Sequence, residues 1–324
     1  MNFVTFNRNF VTLFFLKNMI FITSKLQNGI MRNSILCYPE TRVTTGGFLK
    51  KYIAGLSLIL FCMGVMANST PASKQQIGMF KGSRTCVVFE DGISFYNAYI
   101  KDAIQKYWKS TNYEFIDRKE FEKRRTDSKY SFIVLVNGAN DKDPGGVSYS
   151  YINLVLGDAS GILTKMPEYC SIPLSYSGDD GTDYEYAVPS IVKFMQIHVK
   201  NLEKERFPIS LYGLKYYNKS GFKDKILLLN KDKMASNVNS PEEIKPVYHY
   251  DVKLLSAAEI QEELANNPPN ALFLFHVGPQ KNAGAGKCFE MLFDVDGNLY
   301  YYNFRKVTND NPDGFNLKDF NHIK

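Results

Sequence analysis

From Arg84 onward the chain alternates short apolar runs with amphipathic stretches, and the order of the two can be read twice. Thr85–Phe89 (TCVVF) has the β-branched character of a strand, and Ser94–Lys109 follows with Tyr96, Ile100, Ala103, Ile104, Tyr107 and Trp108 on one helical face. Tyr113–Ile116 then reads as a strand, Arg118–Arg125 as a short helix and Tyr130–Val136 (YSFIVLV) as a buried strand. Val147–Gly157 and Glu168–Ser175 continue as strands. A long helix from Val188 to Glu205 carries Val188, Ile191, Val192, Met195, Val199 and Leu202 at helical spacing, with Pro189 tolerated in its first turn.

The second half repeats that order at an offset of about 140 residues. It predicts strand Ile226–Leu229, helix Pro241–Tyr248, strand Val252–Leu255, helix Ala257–Leu264, strands Ala271–Val277, Cys288–Val295 and Leu299–Val307, and a terminal helix Leu317–Ile323. The sharpest local match sets Phe115-Ile116-Asp117-Arg118-Lys119-Glu120-Phe121 against Leu254-Leu255-Ser256-Ala257-Ala258-Glu259-Ile260. In both, an N-cap side chain is followed three residues later by a Glu that can reach back to the cap amide. The expected fold is α/β (α+β): two similar mixed-sheet domains, each β-α-β-α-β-β-β-α, with parallel pairs made by the crossover helices and an antiparallel meander at the end. The boundaries place domain 1 at 84–206, a Pro/Gly/Asn-containing linker at 207–223 and domain 2 at 224–324. Residues 68–83, with little periodicity, read as a flexible arm.

This order, with an acid-plus-Gly hairpin after the fourth strand (Leu154-Val155-Leu156-Gly157-Asp158-Ala159-Ser160-Gly161), resembles at fold level the amino-terminal domain of the Tol-Pal propeller protein, the curli-secretion lipoprotein and the lipoprotein activators of penicillin-binding proteins. The likeness covers residues 84–206, and the second half joins it in outline through Phe293-Asp294-Val295-Asp296-Gly297-Asn298. The whole chain also resembles uncharacterised exported two-domain envelope proteins of Gram-negative bacteria. What the resemblance implies is a non-catalytic domain that docks a protein partner in the envelope.

Ahead of these repeats the pattern changes. Lys50 and Lys51 precede an uninterrupted apolar run from Tyr52 to Ala67, which ends Val65-Met66-Ala67, the charged, apolar and small-residue order of a secretory signal peptide. The run is 16 residues long, short of the ~20 that span a bilayer, so cleavage after Ala67 is expected and not a permanent membrane helix. Residues 49–67 are read as that signal. Residues 1–48, which do not fit ahead of a signal, read as a mis-annotated upstream extension, with Leu49 as the initiator decoded as Met. The expected location is the periplasm or the cell exterior.

Charge follows the same division. The net +6 of the 324 residues arises within 1–67, where seven basic groups face one acid; the rest carries 32 of each sign. A neutral mature chain argues against binding nucleic acid by counterion release. The basic run Arg118–Arg125 is interleaved with Glu120 and Glu122, as on a solvated helix face. Three cysteines follow the leader, Cys86, Cys170 and Cys288, enough for one bridge at most, with the pairing open.

The sequence offers no catalytic, cofactor-binding or metal-binding motif. Gly278–Lys287 is glycine-rich, but Lys281 stands where a phosphate loop needs Gly, and Cys288 replaces its Ser/Thr. His198, His249, His276 and His322 form no paired ligand spacing, and no Cys/His cluster is visible. Asp179–Glu185 and Asp294–Asn298 lack the calcium-loop pattern, and Asp296-Gly297 reads as a hairpin turn.

What remains is aromatic. Tyrosines crowd the strand ends and the linker, and Tyr184, Tyr186, Tyr212, Tyr216, Tyr217, Tyr300 and Tyr302 are the expected interaction surface, because Tyr combines contact area with a polar tip. The expectation is an exported, non-enzymatic protein-interaction or scaffold module. The alternatives are a carbohydrate- or peptide-binding protein using the tyrosine-rich region, and a hydrolase whose site is not written as a local motif.

Overall fold

The computed structural model describes residues 70–324 apart from 93, 140–146, 180, 220–221, 239, 280–284 and 324. The stretches read above as an upstream extension and a signal peptide, and the start of the arm, lie outside the described residues. The first sheet holds β1 (Thr70–Pro71), β2 (Arg84–Val88), β3 (Tyr113–Ile116), β4 (Tyr130–Ala139), β5 (Ser148–Leu156) and β6 (Pro167–Tyr176), in the order β1-β6-β5-β4-β2-β3. The second holds β7 (Ile226–Asn230), β8 (Val252–Leu255), β9 (Ala271–Val277), β10 (Gly286–Phe293) and β11 (Leu299–Val307), in the order β11-β10-β9-β7-β8. Among the described residues six helices accompany them: α1 (Lys74–Met79), α2 (Phe95–Tyr107), α3 (Arg118–Arg124), α4 (Val188–Tyr212), α5 (Pro241–Ile244) and α6 (Ala257–Ala265).

With β1 set aside, the two sheets have one topology. β2 lies parallel to β3 and β4, as β7 does to β8 and β9, because a helical crossover must separate parallel neighbours. The remaining strands turn back antiparallel by short connections. The likeness extends to a defect in the ladder. Between Leu154 and Val155 the β5–β6 register skips Tyr169, and between Leu292 and Phe293 the β10–β11 register skips Tyr300. An extra residue at the same place in both sheets, a tyrosine each time, bends each closing strand alike.

Three elements differ from the pattern. The helix at Pro241 ends at Ile244 because Pro246, after the still helical Lys245, has no amide to continue the hydrogen-bond ladder. The terminal helix is a 3-10 turn, Asp319–His322. α4 runs on to Tyr212, into the expected linker, with non-helical backbone at Glu205, three residues before Pro208. The arm is also corrected. Thr70–Pro71 pairs with β6, Ser73 closes a capping box with Gln76 over α1, and Ile77 and Phe80 are buried, with Phe80 edge-on to Tyr169 at 5.2 Å. A six-residue helix is too short for its periodicity to be seen in the sequence.

Strand alternation distributes the core over three layers. On the outer face of the first sheet Cys86, Val88, Phe132 and Val134 meet Phe121 of α3. On its inner face Val87, Ile133, Ile152 and Ile172 pack beneath α2 and α4, and that cluster runs on into Leu228, Phe273, Phe275, Met291 and Phe293 of the second sheet. The far face of the second sheet, with Leu227, Leu229, Leu272, Leu274 and Leu292, is closed by Ile244, Tyr248, Phe315, Phe320 and Ile323. Val87 corresponds to Leu229 in the repeat, yet Val87 faces the shared layer and Leu229 the far one. The halves therefore stack head to tail. Among the described residues no helix is long and apolar enough to cross a membrane.

Candidate functional site

The structure divides the seven tyrosines. Tyr184 and Tyr186, in the turn before α4, are buried: Tyr186 donates its hydroxyl to the Leu274 carbonyl at 3.1 Å and sets its ring against Phe273 and Phe275. Tyr217 is buried as well, its hydroxyl 2.8 Å from His198 Nδ1. These three are core residues, not surface: Tyr184 packs on Tyr99 of α2, Tyr186 on β9, and Tyr217 on Phe194 and His198 of α4.

The other four gather with Tyr217 around residues 212–219. Tyr212 is exposed, and Tyr216 donates its hydroxyl to the Glu205 carboxylate. Asn218 and Lys219 close the free edge of β11. The Asn218 amide donates to the Tyr302 carbonyl at 3.1 Å and accepts from the Tyr302 N–H at 2.7 Å, and the Lys219 N–H donates to the Tyr300 carbonyl at 2.8 Å. The Lys219 ammonium then sits 4.1 Å over the Tyr300 ring.

Between this segment, α4 and the β10–β11 hairpin lies a cleft of about 350 Å³. Its polar lining is Asn201, Asn218, Asn298, Tyr216, Tyr217 and Lys219, over Ile197 and Leu299. Beside it, beyond the break at Glu205, the end of α4 turns Phe207, Leu211 and Tyr212 outward, 77%, 55% and 61% exposed. Phe207 and Leu211 are four apart and share one helical face. Of the six large apolar side chains exposed among the described residues, three fall in this stretch, so the patch is local and not general surface noise.

A second constellation lies on the far face of the second sheet, at the other end of the β10–β11 ladder. Alternation along β9 puts His276 on the same face as Leu272 and Leu274, and along β10 it puts Cys288 and Glu290 beside it, with His276 opposite Glu290 and Cys288 opposite Arg305. Asp313, from the loop after β11, accepts a hydrogen bond at 2.9 Å from His276 Nε2. Arg305 fixes that loop by donating to the carbonyls of Pro312 and Gly314 while its Nε reaches Glu290 at 3.3 Å. Burial and the neighbouring Asp319 push the Glu290 carboxyl up to about 7, with His276 and Arg305 pulling the other way. Burial opposes ionisation of Asp313, but the His276 hydrogen bond and charge and the Gly314 amide outweigh it and hold the carboxyl low. The Cys288 thiol is pushed well up by burial and by Glu290, the reverse of what a nucleophilic thiolate needs. His276, Cys288 and Asp313 nevertheless bring three ligand atoms within 4.8 Å of one another.

The sequence reading found no Cys/His cluster because these residues are 12 and 25 apart along the chain. A face-by-face reading of the β9–β10 hairpin could have joined His276 to Cys288, but nothing local places Asp313. Among the described residues Cys86, Cys170 and Cys288 are each free and buried.

Comparison with protein-family models, with curated proteins and with solved structures found no match to this chain.

Proposed function

We propose that the protein is exported to the cell envelope and works without catalysis as a protein-interaction module, docking its partner on the Phe207–Leu211–Tyr212 ridge. The observation that supports this is the ridge itself: three large apolar side chains held out by a helix whose preceding turns are well buried. The exposed residues around it carry both signs, Glu203 and Glu205 beside Lys204, Arg206 and Lys215, so the fitting partner is recognised by a complementary apolar surface. The leader pattern through Ala67 supports export, and amino-terminal sequencing of the exported form should begin near Asn68; a first residue far upstream would overturn that part. For docking, a photo-crosslinker placed at residue 211 in the producing cell should give a discrete protein adduct that Phe207→Asp removes, while the same group at exposed position 101 of α2 gives none. Equal adducts at both positions, or none at either, would sink the docking face.

A second reading, a glycan or short-peptide site, is favoured by the adjoining cleft, whose amides, phenols and ammonium suit a hydroxyl- or amide-rich ligand. A thermal-shift screen of saccharides and peptides tests it. A stabilising ligand whose effect disappears with Tyr216→Ala and Lys219→Ala supports the cleft, and a flat screen removes it.

A further inference from the structure

We propose that His276, Cys288 and Asp313 form a binding site for a divalent d-block cation, zinc by the character of its donors, which pins the carboxy-terminal segment to the second sheet. The three residues offer one imidazole nitrogen, one sulfur and one carboxylate oxygen, the donor types that zinc accepts. Tetrahedral zinc sets such donors about 3.3–3.8 Å apart. The observed spread, all within 4.8 Å with the His276 Nε2–Asp313 pair at 2.9 Å, needs only side-chain adjustment to meet it.

The imidazole can turn the needed nitrogen to the ion. His276 is 3% exposed, and among the described residues its Nδ1 is one of three buried side-chain polar atoms without a hydrogen-bond partner, so no protein group on that side holds the ring in one tautomer. A cation bound at Nε2, the nitrogen that faces Asp313 at 2.9 Å, sends the imidazole proton to Nδ1 and frees Asp313 to ligate beside it.

The surroundings are built for such an ion. Gly278 lies so close to Asp313 that a side chain there would fall on the carboxylate. Asp313 is 40% exposed, which leaves an entry path on one side, while His276 and Cys288 close the other. Glu290 and Asp319 lie buried beside the site, with Arg305 Nε 3.3 and 3.9 Å from them. Loading exchanges a proton for the cation: the Cys288 S–H bond breaks, a sulfur–metal bond forms, and the proton passes to solvent. Binding is therefore expected to tighten about tenfold per pH unit through the neutral range.

Cobalt(II) and zinc titrations of the purified full chain test the site. The expected result is one equivalent of cobalt with a thiolate-to-cobalt charge-transfer band, displaced by zinc and absent in Cys288→Ser. Asp313→Ala, a change at a partly exposed position, should keep the far-ultraviolet spectrum and weaken binding at least tenfold. Zinc should also raise the unfolding temperature of the parent chain and leave that of Asp313→Ala unchanged. Absence of stoichiometric binding in the parent chain, or a band that survives Cys288→Ser, would overturn the proposal. The site is remote from the ridge and the cleft, so its failure leaves the proposed function standing, and the reverse holds too.

Discussion

His198 is the residue whose protonation bears most directly on the fold. It lies in α4, buried, with Nδ1 at the Tyr217 hydroxyl and its ring against Phe194 and Tyr217. Burial lowers its pKa from 6.5 to about 4, with a hydrogen bond to the backbone of Tyr169 acting weakly the other way. A base with a depressed folded pKa stabilises the fold in its neutral form. That contribution is complete above pH 6.5 and is lost as the pH falls toward 4, where the unfolded chain takes up the proton first. The loss amounts to about 3 kcal/mol across that window. His198→Gln cannot titrate, so the stability gap between parent and variant, measured by urea unfolding, should shrink by about that amount between pH 7 and pH 4. A gap constant with pH would mean that the imidazole is solvated after all. The residue scale also explains the fate of the tyrosines. Their spacing reveals that a strand end or turn carries them, but burial of Tyr186 depends on Phe273 and Phe275 arriving from a strand nearly ninety residues away, and Tyr184 sets its ring edge-on to Tyr99 of α2, 85 residues before it.

Among the elements, the β10–β11 hairpin was legible because its turn chemistry is local. Gly297 has φ +84°, its N–H donates to the Asp294 carbonyl, and both Asp294 oxygens bind Asn298. The strand order and both capping positions were legible for the same reason, since period-2 and period-3.6 patterns lie within single elements. The end of α4, the shortened α5 and α1 were less so, because a late proline or a single turn leaves too few residues for a period to register. The sequence also gives no hint that the hairpin turn lies against α4. A Cβ on Gly297 would fall 2.9 Å from Phe194 N and Ser190 O and closer still to the Lys193 side chain, while Gly92, at φ +79°, has nothing within 4 Å. Both glycines need positive φ, so the pair separates strain from packing. Gly92→Ala should cost about 1 kcal/mol, the strain alone. Gly297→Ala should cost about 3 kcal/mol or more, because the helix must also move. Equal costs in chemical denaturation would mean that the turn and α4 do not pack as described.

For the whole molecule, the repeated topology invites the expectation of two halves that unfold separately, and the shared layer argues otherwise. In the head-to-tail stack, α4 covers the inner face of the first sheet and packs on the second as well, and Phe293 stands between Phe194 of α4 at 5.7 Å and Phe273 of β9 at 6.0 Å. Ser190 and Lys193 of α4 further donate to the carbonyls of Asp294 and Val295, at 3.0 and 2.6 Å. Separating the halves would bare Phe273, Phe275, Met291 and Phe293 to water, each worth roughly 1.5–3 kcal/mol of burial, which is a large part of the stability of a domain this size. Coupling of that order makes unfolding cooperative across the chain. The one tryptophan of the chain, Trp108, is buried in the first half against Phe80 and reports on that half alone. Phe293→Ala, a cavity in the second half, should lower stability by about 3–5 kcal/mol. The Trp108 fluorescence transition and the hydrogen exchange of the β9 amides should then shift together. A Trp108 transition that stays in place while β9 loses protection would show two independently stable halves, and would make the shared layer an interface instead of a core.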